Sequence, residues 1–187
     1  MNIRERAEKA SKKKSKSPVK RSRTNIQDIE RSIIWKPTEI PEGFILKVDT
    51  REQTPLFDPI PKGLCIVRDT VTVGDYTVKG FEDKLAIERK GLSDFFSYIG
   101  SERDRTVKKL ERMSEMYFSA LVVQVEECDL YSPFIPTKLS HEHVRGFLKC
   151  LRVKYRIPYI ITDDKDYIER YILDSLTYAF SHLREVR

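Results

Sequence analysis

Apolar residues are spaced as in strands through the first half of the chain, and as in alternating strands and helices through the second. Short apolar or alternating runs at 44–48 and 84–90 predict one strand each, and 64–78 predicts two strands with a bend at Gly74. The continuous apolar run at 119–126 predicts a central strand. A further strand is expected at 157–162.

Helical spacing begins directly after residue 90. Phe95, Phe96 and Ile99 predict a short helix capped by Ser93 or Asp94. Three longer amphipathic helices follow. The positions that recur at helical spacing are Thr106, Leu110, Met113 and Tyr117, then Val144, Phe147, Leu148, Leu151 and Tyr155, then Ile168, Tyr171, Ile172, Ser175, Leu176, Ala179 and Phe180.

This order of elements predicts an α/β fold. The late alternation of strand and helix indicates a parallel half-sheet with helices on its faces, and the early strands indicate an antiparallel part. We therefore expect a mixed central sheet flanked by helices.

The net charge of +6 is concentrated at the N-terminus. Residues 1–25 hold ten Lys/Arg and two Glu, whereas the rest of the chain is close to neutral. We interpret 1–25 as a disordered basic arm, 26–42 as a linker with two prolines, and 43–187 as the folded domain. The arm either attracts polyphosphate or is a solubilising terminus, and it also resembles a nuclear-localisation signal.

Composition restricts the compartment. The N-terminus lacks the apolar segment of a signal peptide, and no apolar run is long enough for a membrane span. The three cysteines form no CxxC pair, which argues against a zinc site or a disulfide framework. We expect an intracellular protein, nuclear or nucleoid, that is neither secreted nor membrane-bound.

Three charged residues end the strand in "KLAIERKGLSD". Alternate side chains of a strand share a face, so Glu88 and Lys90 point one way and Arg89 the other. Asp75, in "VGDY", is expected on the neighbouring strand. Asp75 and Glu88 would then share one Mg²⁺ or Mn²⁺, with Lys90 beside the ion, which is an arrangement suited to phosphodiester hydrolysis.

Further acidic residues fall at predicted strand or helix ends. Asp49 and Glu52 follow the first strand in "VDTRE", and Asp94 opens a helix. Sites on α/β sheets are commonly built at such positions.

The motifs "VDTRE", "VGDY" and "IERKGLSD" together resemble the nuclease domain of the XPF family of structure-specific endonucleases. The resemblance covers residues 43–187 and implies a restriction-endonuclease-like fold and metal-dependent cleavage of branched, flap or fork DNA in repair or recombination. It implies catalytic positions at Asp49, Glu52, Asp75, Glu88, Arg89, Lys90 and Asp94. Of these, Asp75 and Glu88 would bind metal, Asp49 would be an outer ligand, and Lys90 would activate water. Asp94 would orient Arg89 or Lys90, or cap its helix.

The resemblance also indicates where DNA would lie. The candidate phosphate contacts are Arg51, Arg103, Arg105, Lys108 and Lys109. For the segment 101–113 the alternative is a solvated helix face with internal ion pairs, because Glu102 and Asp104 interleave with the basic residues.

One feature of the family is missing from the sequence. We find no signature of the tandem helix-hairpin-helix motifs that help many members to bind DNA and to dimerise, so we expect a nuclease-only member, as a homodimer or in a heterodimer with a related subunit. The alternatives are a catalytically silent nuclease-fold subunit that supports a partner, and a DNA-binding adaptor that acts through its arm. His141 and His143 are predicted to be surface or capping residues rather than metal ligands.

Overall fold

The described part of the chain contains six strands and four α-helices. The computed structural model describes residues 39–54, 56–132 and 138–186, so the predicted arm 1–25 and the linker as far as residue 38 lie outside the described residues. The strands are β1 (Ile45–Asp49), β2 (Cys65–Asp69), β3 (Tyr76–Val78), β4 (Leu85–Lys90), β5 (Phe118–Val123) and β6 (Tyr159–Ile161). The helices are α1 (Leu92–Ile99), α2 (Arg103–Ser114), α3 (His141–Cys150) and α4 (Lys165–Glu185).

The strands form one mixed sheet in the order β2-β1-β3-β4-β5-β6. β3 pairs in antiparallel with β1 on one side and with β4 on the other, and β4, β5 and β6 run parallel. The expected division into an antiparallel and a parallel part is therefore confirmed. β2 departs from it, because it pairs with β1 in parallel at the edge of the sheet.

Two hydrophobic cores lie on opposite faces of the sheet. On one face, α4 packs Ile168, Ile172 and Phe180 against residues that include Leu85 and Ile87 of β4. On the other face, α1, α2 and α3 cover the remaining strand residues, among them Ala86. The period of two along β4 thus divides its side chains between the two cores.

Two details of the helix predictions are corrected. Gly91, rather than Ser93 or Asp94, is the N-cap of α1, and its carbonyl accepts the Phe95 amide at 2.9 Å. Glycine is acceptable there because its backbone adopts the extended N-cap conformation readily. Tyr117 is not part of the α2 stripe, since the helix ends at Ser114 and Tyr117 is 52% exposed.

The connection between β5 and β6 is less regular. α3 continues into a π-helical turn, Leu151–Tyr155, which supplies the predicted packing residues Leu151 and Tyr155 to the core. No helix within the described residues is both long and apolar enough to cross a membrane.

Candidate active site

The charged side chains at the end of β4 point to opposite faces of the sheet. Ala86 belongs to the core under α1–α3, so Glu88 and Lys90 lie on that face. Their side chains are ion paired, with Lys90 Nζ 2.7 Å from Glu88 Oε1. Arg89 lies on the opposite face. The prediction that Glu88 and Lys90 share a face is confirmed.

Gly74 brings Asp75 against this strand. Its φ of +83° is unfavourable for residues with a side chain, and an added Cβ would lie 3.1 Å from both Ala86 Cβ and Ile87 O. The close approach allows the Asp75 amide to donate to Ile87 O at 2.9 Å. Asp75 therefore lies beside the segment of β4 that carries Glu88, as expected, but it directly precedes β3 rather than lying within that strand.

Glu88 is the most unusual residue of the site. Its carboxylate is fully buried, and Oε1 accepts from both Lys90 and Lys109, each at 2.7 Å. Its second oxygen, Oε2, is buried without a hydrogen-bond partner among the described residues. An unsatisfied buried carboxylate oxygen is costly unless another group completes its environment.

The charges of the site influence one another. Burial, together with the neighbouring charge of Glu88, raises the pKa of the Asp75 carboxyl group to about 7. Burial alone would lower the pKa of the Lys90 ammonium, but the charges of Glu88 and Asp75 outweigh burial, so this pKa is raised. Lys90 is thus a firmly charged cation beside two close carboxylates.

Asp49 is engaged in a different way. Its two oxygens accept from the side chain of Arg51 at 2.7 and 2.8 Å, and Oδ2 also accepts the Val71 amide at 2.9 Å. The Arg51 guanidinium holds the pKa of Asp49 well below its usual range. Asp49 therefore fixes Arg51, whose side chain is 68% exposed and lines the cleft in front of Asp75.

Arg89 braces the loop after β1. Its Nη1 donates to Glu52 Oε1 at 2.9 Å and to Thr54 O at 2.8 Å, while Nε donates to Gln124 Oε1 at 2.6 Å. Glu52, rather than Asp94, is the acidic partner of Arg89. Asp94 lies in the first turn of α1, where its charge contributes to raising the pKa of Lys90.

A cleft of about 430 Å³ opens over Asp75 and Lys90. Basic side chains dominate its lining. They are Arg51, Lys90, Arg105, Lys108, Lys109 and Arg112, against the acidic Asp75 and Glu102. Such a surface attracts a phosphodiester backbone.

Four of the five predicted phosphate contacts line this cleft. Arg103 does not; it lines a separate cavity of about 350 Å³ next to α3. Sequence reasoning missed Arg112, although its spacing from Arg105, Lys108 and Lys109 places all four on one helical face. It also missed Gln124, which directly follows β5 in the structure and for which the sequence offers no signal.

The carboxylates of the site fit a divalent cation. Mg²⁺ commonly takes one or two protein carboxylates and fills its other positions with water and phosphate. Asp75 and Glu88 meet that need, and the unpartnered Oε2 of Glu88 is a hard oxygen ligand. Among the described residues no three His, Cys, Asp or Glu side chains form a metal-binding group, so any fit rests on this pair.

His141 and His143 contact other residues. Ser140 and His143 form a capping box at the start of α3, in which His143 Nδ1 accepts the Ser140 amide at 2.9 Å. His141 makes an edge contact with Tyr131. The predicted capping role is confirmed for His143.

Comparisons with known proteins agree with the fold. The model of the ERCC4 domain family matches residues 48–174. Two structures of XPF from Aeropyrum pernix, one of them a complex with DNA, superpose with TM-scores of 0.53 and 0.54 at 21% and 20% identity. They cover 71% and 74% of this chain, which spans 59% and 66% of theirs. No curated protein sequence matches the chain.

Proposed function

Because the chain belongs to the ERCC4 domain family, we propose that it is a divalent-metal-dependent endonuclease that hydrolyses phosphodiester bonds in DNA. The observation that best supports this proposal is the Glu88 carboxylate, which is buried next to Asp75 and is bound by two lysines of the basic cleft, Lys90 and Lys109. Its Oε2 has no hydrogen-bond partner among the described residues. A structural ion pair would not need that free oxygen, whereas a metal ligand would.

Asp75 and Glu88 would hold the ion, Mg²⁺ or Mn²⁺. When bound, such an ion supplies Lewis-acid polarisation of the phosphoryl oxygen and activates water for attack on phosphorus. Lys90 is fixed beside Glu88 by the period of β4, and there its ammonium would orient the attacking water and offset charge that develops on the phosphate. Asp49 would act through Arg51, which it holds toward the cleft.

The basic face of α2 would hold the DNA backbone. Arg105, Lys108 and Arg112 line the cleft, and Arg51 lines it from the loop after β1. Contacts of this kind position a duplex without reading its sequence, so the choice of substrate would depend on DNA shape. We infer branched, flap or fork DNA as the substrate, and repair or recombination as the process, in the nucleus or nucleoid. A homodimer or a heterodimer with a related subunit is part of the same proposal.

The experiment is a cleavage panel. The purified 187-residue chain is incubated with flap, fork and linear duplex DNA in Mg²⁺ or Mn²⁺, and its mass in solution is measured under the same conditions. We expect cleavage of at least one branched substrate, and none by Glu88→Gln or Lys90→Ala at unchanged fold.

Two results would contradict the proposal. Most of the activity remaining in Glu88→Gln would show that the chemistry takes place elsewhere. Tight binding of branched DNA by the wild type with no cleavage in either metal would favour a catalytically silent DNA-binding subunit instead.

A further inference from the structure

Lys109 does not extend from α2 into solvent as a simple phosphate contact would. Its ammonium lies 2.7 Å from Glu88 Oε1, the same oxygen that binds Lys90, and its side chain is only 28% exposed. Both ammonium groups also lie near the Tyr98 ring, at 5.6 Å and 5.9 Å from its centroid. Glu88 is thus held by two cations on one oxygen.

The two lysines differ in their freedom to move. Lys90 is two residues from Glu88 on the same strand, and so its position is set by the backbone of β4. Lys109 reaches Glu88 from another element, and its side chain is more exposed than that of Lys90, at 28% against 19%. A divalent cation at the same carboxylate would repel both ammonium groups, and Lys109 is the one that can move away.

Lys109 also differs from its neighbours on the cleft face of α2. Within the described part of the chain it is the one basic residue of that face with an ion pair; Arg105, Lys108 and Arg112 have none. Adjacent residues of an α-helix point about 100° apart around its axis, so Lys109 reaches Glu88 beneath α2 whereas Lys108 points away from it.

We propose that Lys109 is the built-in counter-ion of the metal site. It neutralises Glu88 in the metal-free protein, a divalent cation displaces it, and the released ammonium takes a phosphate of the DNA as its new partner. Metal and DNA then bind cooperatively, because each removes a competitor of the other. This inference rests on the proposed metal-dependent nuclease function.

The test measures Mn²⁺ binding without DNA, by electron paramagnetic resonance of the free ion. If Lys109 competes with the metal, Lys109→Gln binds Mn²⁺ about five-fold more tightly than the wild type, because a charge-assisted hydrogen bond no longer has to be broken. Lys109→Arg keeps the charge and is expected to stay near the wild-type affinity. Lys108→Gln is the matched control, and we expect its affinity to change less than two-fold.

The inference would be overturned if Lys109→Gln kept the wild-type melting temperature and bound Mn²⁺ with the same affinity as the wild type. Glu88→Gln separates this failure from that of the proposed function. Loss of Mn²⁺ binding in Glu88→Gln together with an unchanged Lys109→Gln would leave the metal site in place and remove only the displacement. Undiminished Mn²⁺ binding by Glu88→Gln would remove the metal site itself, and the inference with it.

A second readout follows the DNA. Affinity for a flap substrate is measured in EDTA and in Ca²⁺. A control reaction first establishes that the substrate stays uncleaved in Ca²⁺. We expect Lys109→Gln to weaken binding more in Ca²⁺ than in EDTA, because the ammonium is free only when the metal is bound. Lys108→Gln is expected to weaken binding equally in both, and the same equality for Lys109→Gln would contradict the displacement.

Discussion

The side chain of Asp75 is fixed by the main chain of Arg89, because its Oδ2 accepts the Arg89 amide at 2.7 Å. The carbonyl of Asp75 in turn accepts the Asp49 amide at 2.9 Å. Asp75 therefore joins β1 to β4 at the edge of the cleft. Its position relative to Glu88 is set by backbone contacts, which depend on the close approach that Gly74 allows.

Gly74→Ala is expected to lower the free energy of unfolding by about 2–4 kcal/mol, since strain at positive φ adds to a steric conflict with β4. Cleavage should fall further than stability explains, because the displaced Asp75 would no longer face Glu88. Urea unfolding and single-turnover cleavage at a temperature where the variant is folded measure the two effects separately.

Gly63→Ala is the matched control for this change. Gly63 has a similar φ of +86°, but an added Cβ meets nothing within 4 Å. We expect a loss of about 1–2 kcal/mol from backbone strain alone, and wild-type cleavage. Equal losses in the two variants would show that the contact with β4 contributes nothing.

The Arg89–Glu52 pair is expected to be strongly coupled, because both side chains are largely buried, at 9% and 12% exposure. Arg89→Lys and Glu52→Gln should each destabilise the protein by about 1–3 kcal/mol. A double-mutant cycle by chemical denaturation should give a coupling above about 1 kcal/mol. The exposed pair Arg145–Glu142 serves for comparison and should show no measurable coupling. Additive effects at Arg89 and Glu52 would refute the bracing role.

DNA affinity should depend on the face of α2 that lines the cleft. Replacing Arg105, Lys108 or Arg112 by Ala is expected to weaken DNA binding uniformly across sequences and to reduce the slope of log affinity against log salt by about one. Arg103→Ala is the control, since Arg103 lines the other cavity. A loss for Arg103→Ala as large as for Lys108→Ala would place the DNA elsewhere on the helix.

The alkaline stability of the domain should depend on Tyr171. Burial raises the pKa of its phenol to about 12, whereas an unfolded tyrosine titrates near 10. The neutral form is favoured by folding, so this contribution is complete below pH 10 and is lost as the pH rises toward 12. At pH 11 the ionisation of Tyr171 should lower the free energy of unfolding of the wild type by about 1 kcal/mol, and Tyr171→Phe should not show this loss. Parallel stability curves for the two proteins from pH 9 to 11 would contradict this.

The strand period made much of the site predictable. Glu88 and Lys90 share a face, and Asp75 precedes a strand that pairs with theirs, because alternation and antiparallel succession are local properties of the sequence. The helical stripes were likewise visible. Their buried positions repeat with the helical period in each of the three longer helices.

The rest depended on contacts between distant segments. Nothing near Lys109 in the sequence shows that α2 crosses above Glu88, 21 residues away. The partners of Arg89 come from the loop after β1 and from the residue after β5, so the sequence offered only the nearby Asp94 as one possible partner. The parallel pairing of β2 with β1 likewise requires a crossover that apolar patterning does not encode.

The side chains of β4 alternate between the two cores, so a change of chain length has different effects before the strand and within it. The turn at 79–84 joins β3 to β4, and an inserted residue at its exposed start, between Lys79 and Gly80, would lengthen the turn while the strand pairing stays in register. An inserted residue between Ile87 and Glu88 would instead exchange the faces of Glu88 and Arg89. The acid would then lie under α4 and the guanidinium under α2, so a chain with every residue of the motif would have no site. The function of Glu88, Arg89 and Lys90 therefore depends on the register of β4 as much as on their chemical groups.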